Sequence, residues 1–187
     1  MAVFFLNGRR LRCVPWVCSS VHDSRALESG MSITSGKSLI LCKSIPHQNT
    51  AQIARVMAEV LNADVACPEE FPHTSLGNHE LVGFGSGVYY GRLHAALYAW
   101  LHGLPDCREA LKPAFVFSTS GLPFLSKIWH ARLKKLLGRK GFDVVGEFSC
   151  RGFDTWGPLW LAGGLNRKHP DERDLERARE FAKRLVT

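Results

Sequence analysis

The stretch KSLILCKSIPHQNTAQIA, residues 37–54, changes character at its midpoint. Residues 37–43 form a nearly continuous apolar run, which is typical of a strand buried on both faces of a parallel sheet. After Thr50, apolar side chains recur at the spacing of one helical face. They are Ile53, Val56, Met57, Val60 and Leu61. The stretch therefore predicts a buried strand, a short loop and an amphipathic helix, which together begin a parallel α/β unit.

The loop between that strand and that helix is rich in small hydrogen-bonding side chains. A helix start favours an anion, because its first N–H groups are unpaired and carry the positive end of the dipole. Ser44, Asn49 and Thr50 add further donors. The loop lacks the pattern G-x-x-x-x-G-K-[ST] and contains no lysine, so it favours a bound phosphate monoester over phosphoryl transfer. The alternative is that Asn49 or Thr50 only caps the helix.

The rest of the chain continues to alternate between strand and helix patterns. The predicted elements are strands at 63–66, 81–85, 113–118 and 142–148, and helices at 93–101, 125–137 and from 170 onward. Residues 68–80 contain two prolines and one glycine and are predicted to hold at most a short helix. The pattern indicates an α/β fold, a three-layer doubly wound five-stranded parallel sheet with helices on both faces. Ligands of such folds bind beyond the carboxyl ends of the strands.

Two further loops are predicted at that edge, after the third and fourth strands. The sequence GFGSGVYYG, residues 83–91, departs from the dinucleotide fingerprint because Val88 stands where the last glycine belongs. Its glycines allow close backbone approach, and Tyr89 and Tyr90 would either hold a flat ligand or pack on the neighbouring helix. The S-T-S-G turn, residues 118–121, offers hydroxyl and backbone donors at the same edge.

The segment after the fifth strand, SCRGFDTWGP at 149–158, mixes aromatic and polar side chains. It would either cover the edge of a ligand or pack as a surface loop. Arg151 favours a lowered pKa for the neighbouring Cys150 thiol, but no base that would activate a catalytic thiol is recognisable. The C-x5-R pattern of phosphatases is absent after both Cys42 and Cys150. No catalytic residue is therefore predicted.

The composition of the 187-residue chain is ordinary for a soluble globular domain, at 45% hydrophobic and 22% charged residues. No apolar run approaches the ~20 residues that span a bilayer, so no membrane is expected among its partners. The net charge of +7 is spread along the chain, which favours a solvated basic surface over nucleic-acid binding. The six cysteines and eight histidines lack metal-ligand spacing, so no metal is expected. Reduced thiols without a secretory signal indicate the cytoplasm.

Residues 1–35 differ from the remainder, which we expect to be one domain at 36–187. The first 30 residues contain four arginines and two acids and show no clear helical or strand period. Without them, residues 31–187 keep a formal charge of +5. We expect a disordered extension, or a stretch that precedes a true start at Met31. An arginine-rich transit peptide is the weaker alternative.

Three of these loops together resemble those of the flavodoxin-like FMN proteins. The best element is S-x-x-x-x-N-T-x-x-I-A at 44–54, directly after the first strand, where flavodoxins hold the FMN phosphate. The segment GSGVYYG at 85–91 is similar to the loop that flanks the isoalloxazine, and STSG at 118–121 stands where the second flanking loop belongs. The stretch CRGFDTWGP at 150–158 resembles a branch of the family distinct from the electron carriers. The resemblance covers residues 37–185.

This resemblance implies a sheet of strand order 2-1-3-4-5 and one non-covalent FMN. Residues 44 and 47–50 would cradle the phosphate, Tyr89 or Tyr90 would pack near the ring, and residues 119–121 would approach its polar edge. The cofactor-binding set so implied is Ser44, His47, Gln48, Asn49, Thr50, Ser86, Gly87, Tyr89, Tyr90, Gly91, Ser118, Thr119, Ser120 and Gly121.

The function that the resemblance implies is that of an FMN-binding redox protein that passes electrons to a partner protein or a small-molecule acceptor. One alternative is an FMN-dependent oxidoreductase, a flavin-dependent NAD(P)H or quinone reductase with its substrate beside Tyr89, Tyr90 and Trp156. Another is a flavodoxin-like domain without flavin that serves as a binding module. The basic charge departs from the acidic electron carriers and leaves the partner open. The oligomeric state is not predicted.

Overall fold

The computed structural model describes residues 4–6, 9–11, 37–45, 48–106, 111–152, 166 and 168–187. Five parallel strands form its central sheet in the order β2-β1-β3-β4-β5, which confirms the predicted order 2-1-3-4-5. Their bounds are β1 Ser38–Lys43, β2 Ala63–Ala66, β3 Leu81–Tyr89, β4 Lys112–Ser120 and β5 Phe142–Arg151. The helices are α1 Asn49–Leu61, α2 Ala95–His102, α3 Ser126–Arg139 and α4 Glu172–Leu185.

The helices cover both faces of this sheet, and each face has its own apolar core. Helices α1 and α4 bury Ile53, Met57 and Ala182 against the even-numbered face of β1. Helices α2 and α3 bury Leu97 and Leu133 on the opposite face. This alternation explains why β1 is apolar throughout, since both of its faces are covered. The three-layer doubly wound fold predicted from the sequence is confirmed.

Strands β3, β4 and β5 run further toward their carboxyl ends than the sequence predicts. The third strand continues through the glycine-rich segment to Tyr89, the fourth to Ser120 and the fifth to Arg151. Residues 86–89 and 119–120, which were expected to be loop, are therefore strand. Glycine and serine have low intrinsic strand preference, but in-register pairing of Ser86 with Ser118 and of Gly87 with Thr119 extends the ladder.

A tight reversal follows β3 and delays the start of α2. Tyr90 and Gly91 both adopt positive φ angles, 52° and 71°, which is the geometry of a type I′ hairpin turn. The short strand Arg92–Leu93 then pairs antiparallel with Val88 and Tyr89. Leu93 is thus held in a strand instead of the first helical turn predicted for it. We call residues 89–93 the tyrosine hairpin.

The remaining elements agree with the sequence except at helix edges. Residues 68–80 form only a 3-10 helix, His73–Asn78, as their prolines indicate. In α3 the predicted inward face is correct at Leu133, Leu136 and Leu137 but wrong at Ile128, which is 69% exposed. No helix within the described ranges is long and apolar enough to cross a membrane.

The predicted N-terminal extension is described at only two places. The strands Phe4–Leu6 and Arg9–Leu11 pair antiparallel with each other. Residues 1–3, 7–8 and 12–36 lie outside the described residues, so the division at residue 36 stays a prediction.

Candidate functional site

The sheet brings the predicted loops together at its carboxyl edge. The loop after β1 contacts the end of β3, where the hydroxyl of Tyr89 hydrogen-bonds both backbone groups of Ile45. The start of α1 contacts the end of β4, where the hydroxyls of Thr50 and Thr119 lie 2.7 Å apart. Segments separated by 44 and 69 residues in the chain thus meet at one site. Pro46 and His47 lie outside the described residues, so the predicted role of His47 stays a prediction.

The N-terminus of α1 has the features of an anion site. Its N-cap residue is Gln48, with φ 58° and ψ 16°, and the Gln48 side chain makes no capping hydrogen bond. The first turn contains no acidic residue. The alternative that Asn49 or Thr50 serves as the cap is therefore wrong, because the cap residue precedes both. The first turn of a helix carries the positive end of the dipole, and here it lies at the carboxyl edge of the sheet.

Tyr89 fixes the loop that leads into this helix. Its hydroxyl donates to the carbonyl of Ile45 and accepts from the N–H of Ile45 at 3.2 Å. Its ring meets the ring of His94 edge to face, with centroids 5.5 Å apart. A Cβ at Gly87 would lie 2.8 Å from the Tyr89 hydroxyl oxygen, so glycine is needed there for this ring position. Tyr89 therefore holds the loop after β1, the candidate phosphate loop, in place through hydrogen bonds, a role that the sequence does not indicate.

The start of α1, the end of β4 and the residue after β5 pack closely together. Thr50 and Thr119 are both buried, and their hydroxyls share one hydrogen bond. A Cβ at Gly152 would lie 3.0 Å from the side-chain nitrogen Nδ2 of Asn49 and 3.1 Å from Thr119 Cβ. The Gly152 N–H also donates to the carbonyl of Ser120 at 3.0 Å. A side chain at Gly152 would require the neighbouring Asn49 and Thr119 side chains to move by a few tenths of an ångström.

Two serines of the predicted set direct their hydroxyls into the protein. The Ser86 hydroxyl donates to the carbonyl of Gly87 and accepts from the N–H of His94 at 2.8 Å. The Ser118 hydroxyl lies 2.8 Å from His130 Nε2 and 3.3 Å from the Ser149 hydroxyl. Both hydroxyls are thus engaged in internal hydrogen bonds. The buried Ser120 hydroxyl, by contrast, has no hydrogen-bond partner among the described residues, and such a group is costly unless a ligand or water satisfies it.

A buried polar network, which the sequence does not indicate, lies directly below this edge. His130 is 1% exposed and joins Ser118 to Glu147, whose carboxylate oxygen lies 3.1 Å from Nδ1. Lys134 pairs with the other Glu147 oxygen at 2.9 Å. Burial lowers the pKa of His130, and its bond to Glu147 only partly opposes this. Burial also opposes ionisation of Glu147, but bonds from Lys134 and His130 outweigh it and lower the Glu147 pKa.

We expect the free energy of unfolding to fall as the pH is lowered below about 6.5, with His130 as one source. The unfolded chain takes up a proton near pH 6.5, whereas folded His130 does so only at lower pH. Stability is therefore full above pH 6.5 and is lost as the pH falls through the folded pKa, at up to about 1.4 kcal/mol per pH unit for one proton. Urea unfolding at pH 7.5, 6.5 and 5.5 measures this slope.

The matched variants are His130→Asn and His102→Asn, the latter at an exposed position on α2. His130→Asn should reduce the slope and His102→Asn should leave it unchanged. Part of the slope should survive in His130→Asn, because burial also lowers the pKa of His94. Equal slopes in the wild type and His130→Asn would contradict the assignment.

Cys150 lacks the lowered pKa that its neighbour Arg151 suggests. Its side chain is buried, and burial raises the pKa of the thiol far above its usual range. Burial likewise raises the pKa of Cys42 to about 12. These two thiols are therefore protonated and unreactive at neutral pH.

One group of potential metal ligands occurs within the described residues, namely His169, Asp171 and Asp174. The same atoms already form the start of α4. Asp171 accepts from the N–H of Asp174 at 3.0 Å, and Asp174 accepts from the N–H of Asp171 and from His169. The group is accounted for as a capping box with a histidine attached.

Comparison with known proteins gives one close relative. The protein of Methanocaldococcus jannaschii named Uncharacterized protein MJ0298 is 43% identical over 150 residues, which cover 80% of this chain and 98% of that protein. No family model matches the chain.

Solved structures with the same fold include flavodoxins. A flavodoxin from the domain Archaea superposes with a TM-score of 0.57 at 12% identity, over 80% of this chain and 96% of that one. The flavodoxin of Streptococcus pneumoniae TIGR4 gives 0.59 at 18% identity, over 80% and 97%. At these identities the likeness shows the fold. The chain has the flavodoxin-like fold, and it belongs to the same family as protein MJ0298 of Methanocaldococcus jannaschii.

Proposed function

We propose that the chain binds FMN non-covalently and works in the cytoplasm as a redox protein, passing electrons to a partner protein or to a small-molecule acceptor. The observation that carries this proposal is the N-terminus of α1, where the N-cap residue Gln48 gives no side-chain cap, where the first turn has no acid, and which lies beside the ends of β3 and β4. A phosphate monoester supplies the negative charge and the acceptors that this helix end lacks.

The residues around this helix end fit the rest of the cofactor. The tyrosine hairpin provides aromatic surface on one side, and the unsatisfied hydroxyl of Ser120 provides a polar group at the end of β4. The close approach at Gly152 keeps the ends of β4 and β5 against α1. When bound, the isoalloxazine supplies the electron-transfer chemistry, and the chain holds its phosphate, orients its ring and limits its access to water.

The experiment that tests this proposal compares FMN with riboflavin, which has the same ring but no phosphate. The purified protein should be yellow, and heat should release FMN. Reloaded flavin-free protein should bind FMN at least roughly 100-fold more tightly than riboflavin, because the helix end recognises the phosphate. Quenching of flavin fluorescence measures both affinities. A colourless protein that takes up no FMN would refute the proposal. Equal affinities would refute the role of α1.

A reductase of the same fold is the second candidate, favoured by a cavity of aromatic and basic side chains next to the tyrosine hairpin. A substrate seated there would lie beside the proposed flavin ring. Steady NAD(P)H oxidation by the FMN-loaded protein in the presence of a quinone distinguishes this reductase from a carrier that only exchanges electrons with a partner protein.

A further inference from the structure

The cavity next to the tyrosine hairpin lies on the side of the sheet opposite α1. It has a volume of about 740 Å³, is open on one side, and is bordered by the tyrosine hairpin, the start of α2 and the middle of α3. This volume lies within the range of small-molecule sites, about 300–1,000 Å³. Its lining includes Ile45, which belongs to the loop after β1, and Tyr89, which hydrogen-bonds that loop, but no residue of α1 lines it. The cavity therefore adjoins the proposed flavin site and extends away from it.

The walls of this cavity suit a flat conjugated molecule. Tyr89, Tyr90 and Tyr98 line it together with the ring of His94. Tyr90 is 82% exposed at the cavity mouth. Aromatic rings bind other flat rings by offset or edge-to-face contact. The hydroxyl of Tyr98 is buried without a hydrogen-bond partner among the described residues, so a polar group of a ligand would satisfy it.

The charges of the cavity select an anion. Arg132 lies over the Tyr98 ring, with its guanidinium carbon 5.6 Å from the ring centroid, and Arg92 lines the same space. No acidic residue lines the cavity among the residues that the structure describes. Neither arginine pairs with a carboxylate in the part of the chain that the structure describes. Burial raises the pKa of Tyr98, and the positive charges of Arg132 and Arg92 partly oppose that rise.

We propose that this cavity binds a flat aromatic anion, whose rings pack on the tyrosines and whose carboxylate, sulfonate or phosphate pairs with Arg92 and Arg132. Guanidinium groups bind such anions through paired N–H donors, and they do so most strongly next to apolar walls. Resting on the proposed function, the cavity is the docking place of a small-molecule electron donor or acceptor beside the flavin. Because Arg92 and Arg132 supply the positive charge, the cavity should favour an anionic aromatic ligand over a neutral quinone.

The test measures binding of anthraquinone-2-sulfonate and of its uncharged analogue 2-(hydroxymethyl)anthraquinone to the FMN-loaded full chain by calorimetry. The sulfonate should bind at least roughly tenfold more tightly. Arg92→Gln with Arg132→Gln should abolish this preference. Lys135→Gln, which removes a charge from an exposed position on the same helix, should retain it. Equal affinities of the two probes, or an unchanged preference in the double variant, would overturn the inference.

Competition with FMN separates this inference from the proposed function. If the inference is correct, the sulfonate binds the flavin-free and FMN-loaded chain alike, and FMN does not displace it. Displacement by FMN would mean that the cavity is the flavin's own ring site and would overturn the inference. A chain that takes up no FMN but prefers the sulfonate through the two arginines would refute the proposed function and leave the anion site standing.

Discussion

The variant Ala51→Asp should weaken FMN binding by at least about 100-fold while leaving the flavin-free protein at least as stable as the wild type. Ala51 is the third residue of α1 and lies in its first turn. A carboxylate there would occupy the field that the phosphate is proposed to use. The prediction separates an anion site from an ordinary helix end, because the new carboxylate should weaken FMN binding but stabilise the helix itself.

The loss of affinity follows from charge repulsion at short range. Two like charges about 5.5 Å apart repel by about 3 kcal/mol at an effective dielectric constant of 20, and tenfold in affinity corresponds to about 1.4 kcal/mol. The same carboxylate favours the helix itself, since an acid near a helix N-terminus stabilises by about 0.3–1 kcal/mol. Ala51 and Arg55 both line a cavity of about 390 Å³, so the new side chain has space and a cationic neighbour.

The measurement pairs an FMN titration with urea unfolding of the flavin-free chain. Ala131→Asp adds the same charge at an exposed position on α3 and should change FMN affinity less than about threefold, because exposed charges far apart are screened. An Ala51→Asp protein that binds FMN normally would show that the phosphate does not lie at α1. A protein that loses affinity only because it unfolds would be recognised by its lowered urea midpoint.

The sequence predicts the elements whose signal is local. The helical period in α1 and the apolar runs of β1 and β4 identify those elements to within one or two residues, because both faces of the sheet are covered and demand apolar side chains. The positions after these strands follow from the fold class, since parallel strands end at one edge. For that reason the loops around Thr50 and Thr119 were expected to be neighbours, and their hydroxyls do meet.

The features that the sequence does not predict depend on contacts distant in the chain. The sequence predicts that the Tyr89 ring contacts a ligand, and only the fold shows that its hydroxyl hydrogen-bonds the backbone of Ile45. His130 lies on the inward face of α3, where a polar residue among leucines is the only sequence signal of the network with Glu147. Strand pairing also overrides the low strand preference of Gly85 and Gly87.

The largest stability effect should come from Gly85→Ala, which is expected to cost about 3 kcal/mol of the free energy of unfolding. A Cβ at Gly85 would lie 2.0 Å from Phe117 Cζ and 2.3 Å from the adjacent ring carbons. Phe117 is fully buried and stacks with Phe115 at 5.9 Å, so its ring has no open space to enter. Overpacking of a dense core costs about 1–3 kcal/mol and sometimes more. Thermal and urea unfolding measure the loss.

A double-mutant cycle with Phe117→Leu identifies the overlap as the cause. Leucine is shorter than phenylalanine and clears the position of the ring tip, so Phe117→Leu should restore at least about 1 kcal/mol when combined with Gly85→Ala, although alone it leaves a cavity and destabilises. Gly138→Ala is the matched control, since a Cβ there meets nothing within 4 Å. As a glycine inside α3 it should instead stabilise by about 0.5–1 kcal/mol. Additive losses in the cycle would contradict the overlap. A coupled result would mean that glycine in β3 gives the phenylalanine rings of β4 the space to lie flat against the strand. This packing would keep β3 and β4 in register up to the edge, where Gly87 pairs with Thr119.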